Sequence, residues 1–97
     1  MEAIFYLDIC IQTLEGPRRI GRFELGDDRE SAQQIFKSLK CTAEVDPKGM
    51  LYIELMEMVN GLPLNIDMRT CDLQQLGINC MIVTQELFRL SNIRPRI

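Results

Sequence analysis

The sequence predicts an α+β fold: an antiparallel sheet of four to five strands with two helices on one face, in the order β-β-α-(β)-β-β-α. Two stretches of apolar–polar alternation, each interrupted by a turn signal, supply the strands. An amphipathic helical pattern after each supplies the helices. Length supports the same reading, because 97 residues with 46% hydrophobic content make one domain, 1–97, able to bury a core without staples.

The first strand is read from Ala3, Phe5, Leu7, Ile9 and Ile11, which alternate with Ile4, Tyr6, Asp8, Cys10 and Gln12. After Leu14-Glu15-Gly16-Pro17, a second strand places Gly21, Phe23 and Leu25 in alternation with Arg22 and Glu24. A three-residue loop at Glu15-Gly16-Pro17 sets Ile9 opposite Phe23, Leu7 opposite Leu25 and Asp8 opposite Glu24. The stretch "GDDRESAQQIFKSLK" then predicts a helix capped by Asp27, with Glu30 completing a capping box. Ala32, Ile35, Phe36 and Leu39 form its apolar stripe. Asp46-Pro47-Lys48-Gly49 reads as a type I turn, with Thr42 to Val45 as a short strand pairing back onto Met50–Ile53.

The second hairpin carries the strongest signal. Asn60-Gly61 suits both central positions of a type I′ turn, which need positive φ. Val59 then pairs with Leu62, Glu57 with Leu64, Leu55 with Ile66, Ile53 with Met68, and Glu54 with Asp67. Leu62, Leu64, Ile66 and Met68 alternate with Pro63, Asn65, Asp67 and Arg69, as in a half-buried strand. Pro63, which has no N–H to donate, places that strand at a sheet edge. "CDLQQLG" reads as a turn or two of helix stopped by Gly77. "INCMIVTQELFRLSN" reads as a second helix capped by Asn79, with Ile78 and Val83 as a hydrophobic staple. From about residue 92 the chain reads as a loose tail. "QQIFKSL" and "TQELFRL" echo one another faintly, in keeping with a duplicated ββα unit.

Composition bounds function more by exclusion than by signal. Eleven basic residues against fourteen acidic ones give a net charge of −3. Without a basic stripe to displace counterions, nucleic acid is not an expected partner. Met1 leads directly into "EAIFYLDICI", with no basic leader, and no stretch approaches the ~18 apolar residues of a spanning helix. The expected location is the cytoplasm, away from any membrane, with Cys10, Cys41, Cys71 and Cys80 as reduced thiols. There is no histidine, which removes the usual general base and the commonest metal ligand. The cysteines lack paired metal-site spacing, and no phosphate-cradling glycine motif or hydrolase elbow occurs. No cofactor or metal is expected.

Four acidic and basic positions form the candidate polar site. Glu57 interrupts an otherwise apolar face near the Asn60-Gly61 turn, where a rim position or an arginine such as Arg89 or Arg94 would satisfy it. Glu54 and Asp67 oppose one another on the other face, with Arg69 two residues along to relieve the repulsion. That face also carries Tyr6, Cys10, Tyr52, Met56 and Met58, a set too apolar for open water and therefore the candidate interface. The expected function is a small non-enzymatic module for protein–protein interaction or self-association, as a homodimer. The alternative is a small-molecule sensor with its pocket between helices and sheet, and the third is a carboxylate- or thiol-based enzyme.

Overall fold

The computed structural model describes residues 3–41 and 51–91. Among these, a four-stranded antiparallel sheet of order β2-β1-β3-β4 is joined by two helices in the order ββαββα. The strands are β1 (Ala3–Thr13), β2 (Gly16–Gly26), β3 (Leu51–Val59) and β4 (Leu62–Cys71), and the helices are α1 (Arg29–Lys37) and α2 (Leu73–Ser91). The fifth strand, the Asp46–Gly49 turn and the tail expected from the sequence lie outside the described residues.

One core holds the fold together. Phe5, Leu7, Ile9, Ile53 and Leu55 from the two central strands are buried with Ala32, Ile35, Phe36 and Leu39 from α1 and the residues after it, and with Val83 of α2. Both helices therefore cover the same sheet face, hereafter the inner face. The stripe at i, i+3, i+4 and i+7 places α1's apolar side on the sheet, as its spacing requires. Central strands pair at Leu7–Leu55 and Ile9–Ile53, so their period of two delivers one buried row each.

The second hairpin turn has the expected conformation, with Asn60 at φ 53° and Gly61 at φ 82°. Pairing follows the expected register from Val59–Leu62 to Met56–Asn65. A β-bulge then intervenes between Leu55 and Met56, and Leu55 pairs with Asp67, Glu54 with Met68 and Ile53 with Arg69. Ile66 is the extra residue, and the Asp67 carboxylate accepts the Met68 backbone N–H at 2.8 Å within the bulged stretch. Beyond it every β4 side chain changes face relative to a straight register. The expected pairs Leu55–Ile66, Ile53–Met68 and Glu54–Asp67 are accordingly replaced.

The first hairpin also differs from expectation. Its loop is the two residues Leu14-Glu15, closed by Thr13 opposite Gly16, with Gly16 at φ 114°. The Thr13 hydroxyl stabilises this turn, donating to the Gly16 carbonyl at 2.7 Å and accepting from the Glu15 N–H at 3.2 Å. With a register shift between Ile9 and Cys10, Leu7 then faces Phe23, Ile9 faces Gly21, and Asp8 faces Arg22 rather than Glu24.

Both helices begin on aspartates other than the expected caps, α1 one residue later than Asp27 and α2 seven residues before Asn79. Asp28, not Asp27, caps α1 by accepting the Ser31 N–H at 3.1 Å. For α2, Asp72 accepts the Gln75 N–H at 2.7 Å while the Gln75 side chain accepts the Asp72 N–H at 3.0 Å, a reciprocal capping box. The helix runs unbroken through Gly77 and Asn79. One glycine costs only about 1 kcal/mol in a helix interior, which the cap and the buried stripe outweigh.

The ββα repeat reads more clearly in space than in sequence. Counted back from the hairpin turns, Phe5-Tyr6-Leu7-Asp8-Ile9 and Leu51-Tyr52-Ile53-Glu54-Leu55 occupy equivalent places on antiparallel neighbours. Each half ends on an aspartate-capped helix. The "TQELFRL" echo falls in the second half of α2, past the length that α1 reaches from its own cap.

Candidate functional site

The face away from the helices presents Ile4, Tyr6, Asp8, Cys10, Tyr52, Glu54, Met56, Met58 and Met68. The pairings Ile4–Met58, Tyr6–Met56, Asp8–Glu54, Cys10–Tyr52 and Glu54–Met68 make these side chains neighbours across strands. The five candidate interface residues thus share one contiguous surface. They differ in depth, however. Tyr6 and Cys10 are only 3% and 6% exposed, whereas Tyr52, Met56 and Met58 are half-buried.

Arg22 explains part of that depth. Its guanidinium lies over the Tyr6 ring at 4.1 Å and grips Asp8 through two bonds of 2.7 and 3.3 Å. The hydrogen bond to Asp8 holds the Arg22 pKa above its ordinary value. Glu54, directly across from Asp8, instead accepts the Asn65 side-chain N–H at 3.0 Å and the Cys10 thiol at 3.5 Å. Each of the two opposed carboxylates therefore has its own donor, which removes the repulsion expected of the pair. Arg22 stands opposite Asp8 where the expected register places Glu24, and Asn65, opposite Met56 in the expected and observed registers alike, reaches Glu54 on the same face as a neutral amide that carried no signal in the sequence.

The polar candidates do not assemble into one group. Glu54 is on this outer face, but Glu57, Asp67 and Arg69 belong elsewhere. Glu57, 8% exposed, lies on the inner face opposite Phe5 and pairs with Arg29 at 2.8 Å rather than with Arg89, while Arg94 lies outside the described residues. Arg29 also passes over the Phe5 ring at 5.2 Å. The bulge carries Arg69 to the helix side, where its guanidinium stacks on Phe36 at 5.2 Å and meets Asp67 at 3.7 Å.

The chemistry open to the outer face is limited. Burial, with Glu54 beside it, pushes the Cys10 thiol up to about 11, so it is protonated at neutral pH and a poor nucleophile. Burial also raises Tyr52, with Cys10 and Glu54 adding to the effect. Among the described residues, no group of three or more cysteine, aspartate or glutamate side chains is placed to hold a metal ion, and no helix is long and apolar enough to cross a membrane.

Grooves among the described residues lie on the helix side, two of which bear on function. The larger, about 270 Å³, runs between α1 and α2 and is lined by Ser31, Gln34, Ile82, Glu86, Arg89 and Leu90, among others. The smaller, about 170 Å³, lies between α1 and β4 over Phe36, Ile66 and Arg69. Compared with known proteins, the chain matches no family model, and neither a curated protein nor a solved structure is significantly similar to it. The class defined by fold and surface is an α+β sheet domain in which, among the described residues, both helices cover one face of the sheet.

Proposed function

We propose that this chain is a non-enzymatic, cytoplasmic interaction module that pairs with a second copy of itself through the outer sheet face. The supporting observation is the apolar row on that face: Ile4 at 45% and Met68 at 41% exposure, flanked by half-buried Tyr52, Met56 and Met58, with both helices on the other side. Burying apolar area contributes about 25 cal/mol per Å² before association costs. A two-fold dimer applies one patch to itself. Tyr6, Asp8 and Arg22, locked together in the sheet centre, give the patch a preorganised floor, so little ordering entropy is lost on contact.

Light scattering coupled to size exclusion tests this at about 100 μM, well above the dissociation constant of even a modest micromolar interface. The expected result is a dimer. Met56→Lys, which sets a charge in the middle of the patch and leaves the inner core alone, is expected to give a folded monomer. A wild-type monomer at that concentration rejects the pairing. The second reading, a small-molecule sensor, draws its support from the 270 Å³ groove between the helices and predicts a monomer stabilised by a ligand there.

A further inference from the structure

A surface helix normally has one apolar side and one charged side, but α2 is apolar on both. Its inner side buries Val83 and packs Cys80, Leu87 and Leu90 against the core. The opposite side presents Gln74, Ile78, Met81, Gln85 and Phe88, with Ile78 at 42%, Met81 at 62% and Phe88 at 66% exposure. From Leu73 to Gln85 the helix has no charged residue. A row of apolar side chains this open marks a contact surface. Its steps of four, three, four and three residues are the a and d spacing by which one helix meets another. What covers the stripe follows from its symmetry. Gln74, Ile78, Met81 and Gln85 read the same in both directions: amide, apolar, apolar, amide, at steps of four, three and four. Turned end for end, the stripe lays Ile78 against Met81 and Gln74 against Gln85 of a second α2. An amide carries both donor and acceptor, so it can bond its own kind, and a stripe without charge meets no like charge when a two-fold axis applies it to itself. The antiparallel arrangement also sets the positive start of each helix beside the negative end of the other.

We propose that the exposed side of α2 is a second self-association surface, which pairs antiparallel with α2 of another copy. It faces away from the sheet, and the outer sheet face points the other way, so the two contacts do not compete. Molecules already paired through the sheet are linked by α2 from one pair to the next. The contact is of the weak class. With 19 residues, α2 is about 28 Å long, and a single stripe on it buries less than the ~800 Å² per partner of a standard interface. A dissociation constant of about 1 mM suits a contact of that size.

Small-angle X-ray scattering of the intact chain at about 100 μM and about 2 mM, on either side of that dissociation constant, tests the proposal. Between the two concentrations the average mass of wild type is expected to rise about 1.5-fold or more, and that of Met81→Lys to stay constant. Gln85→Lys, at another exposed position of the stripe, is expected to behave as Met81→Lys does and decides the matter if Met81→Lys does not fold. Met56→Lys is expected to start lower at 100 μM and still rise, which separates the two surfaces. If the outer-face pairing fails, wild type starts as a monomer and the same rise is still expected. A wild-type mass that does not change overturns the proposal and leaves the stripe to a helix of another protein. A rise that persists in both Met81→Lys and Gln85→Lys overturns it as well, because the growth then runs through another face.

Discussion

Glu57 occupies a place where period-two alternation calls for a hydrophobe, and Arg29 is what makes it tolerable. The guanidinium approaches from the first residue of α1 and bonds the carboxylate at 2.8 Å. Removing it strands a mostly buried acceptor. Arg29→Ala should therefore cost about 1–3 kcal/mol, the lower end suiting an arginine half open to water. Glu57→Leu added to Arg29→Ala should recover most of that loss, because replacing both partners of a buried pair is often neutral. Thermal melts of the two variants check this, and an unchanged Arg29→Ala midpoint would show the pair to be idle. The thiols give a second expectation at this scale. Burial lifts Cys10 and Cys71 from the ordinary 9.0 to about 11, so the unfolded chain ionises first. Their contribution is intact below about pH 9 and is lost as pH rises through about 11. Urea midpoints should hold steady up to about pH 9 and then fall, with a shallower fall in Cys10→Ser. A flat profile to pH 11 would mean that neither thiol is desolvated.

At the scale of elements, the Asn60-Gly61 turn and the α1 stripe were legible because each rests on local rules: positive φ for two residues, and a fixed helical period. Gly61 stands at φ 82° with nothing within 4 Å of an added Cβ, and Gly77 is equally open but has helical φ. The two glycines should respond oppositely. Gly61→Val pays the left-handed penalty, roughly 1–2 kcal/mol. Gly77→Ala should stabilise by about 0.5–1 kcal/mol, since alanine lowers the entropy of the unfolded chain. Chemical denaturation of both reads the signs directly, and equal signs would contradict this account of the two backbones. What escaped the sequence were features decided by competition between neighbours. Asp27 and Asp28 are both plausible caps, and only the Ser31 contact selects the second. Asn79 has the composition of a cap, yet Asp72 and Gln75 form the better box upstream. That leaves Asn79 inside α2, free to clamp Lys40.

For the whole molecule, the architecture was legible because two hairpins and two amphipathic helices admit few ways to bury their apolar sides. The candidate site was legible only in part. Tyr6, Cys10, Tyr52, Met56 and Met58 do share a face, since β1 and β3 pair without a break. Glu54, Asp67 and Arg69 were assigned to one group by a straight register, and a single extra residue in β4 separates them. That residue, Ile66, acts on the molecule as a phase shift acts on a wave. Upstream of it, the odd or even number of a β4 residue says which side of the sheet it serves; downstream, the rule is reversed. Deleting Ile66 should leave the hairpin turn intact and preserve every downstream address, because Asp67 then follows Asn65 in a regular ladder and still opposes Leu55, which keeps Arg69 and Cys71 on the helix side. Thiol-labelling rates in the folded protein would check this, with Cys71 staying protected opposite Leu51; a newly reactive Cys71 would contradict the assignment of Ile66 as the extra residue. Met68 on the outer face and Cys71 in the inner core, surfaces with nothing in common chemically, thus owe their sides to the same inserted isoleucine.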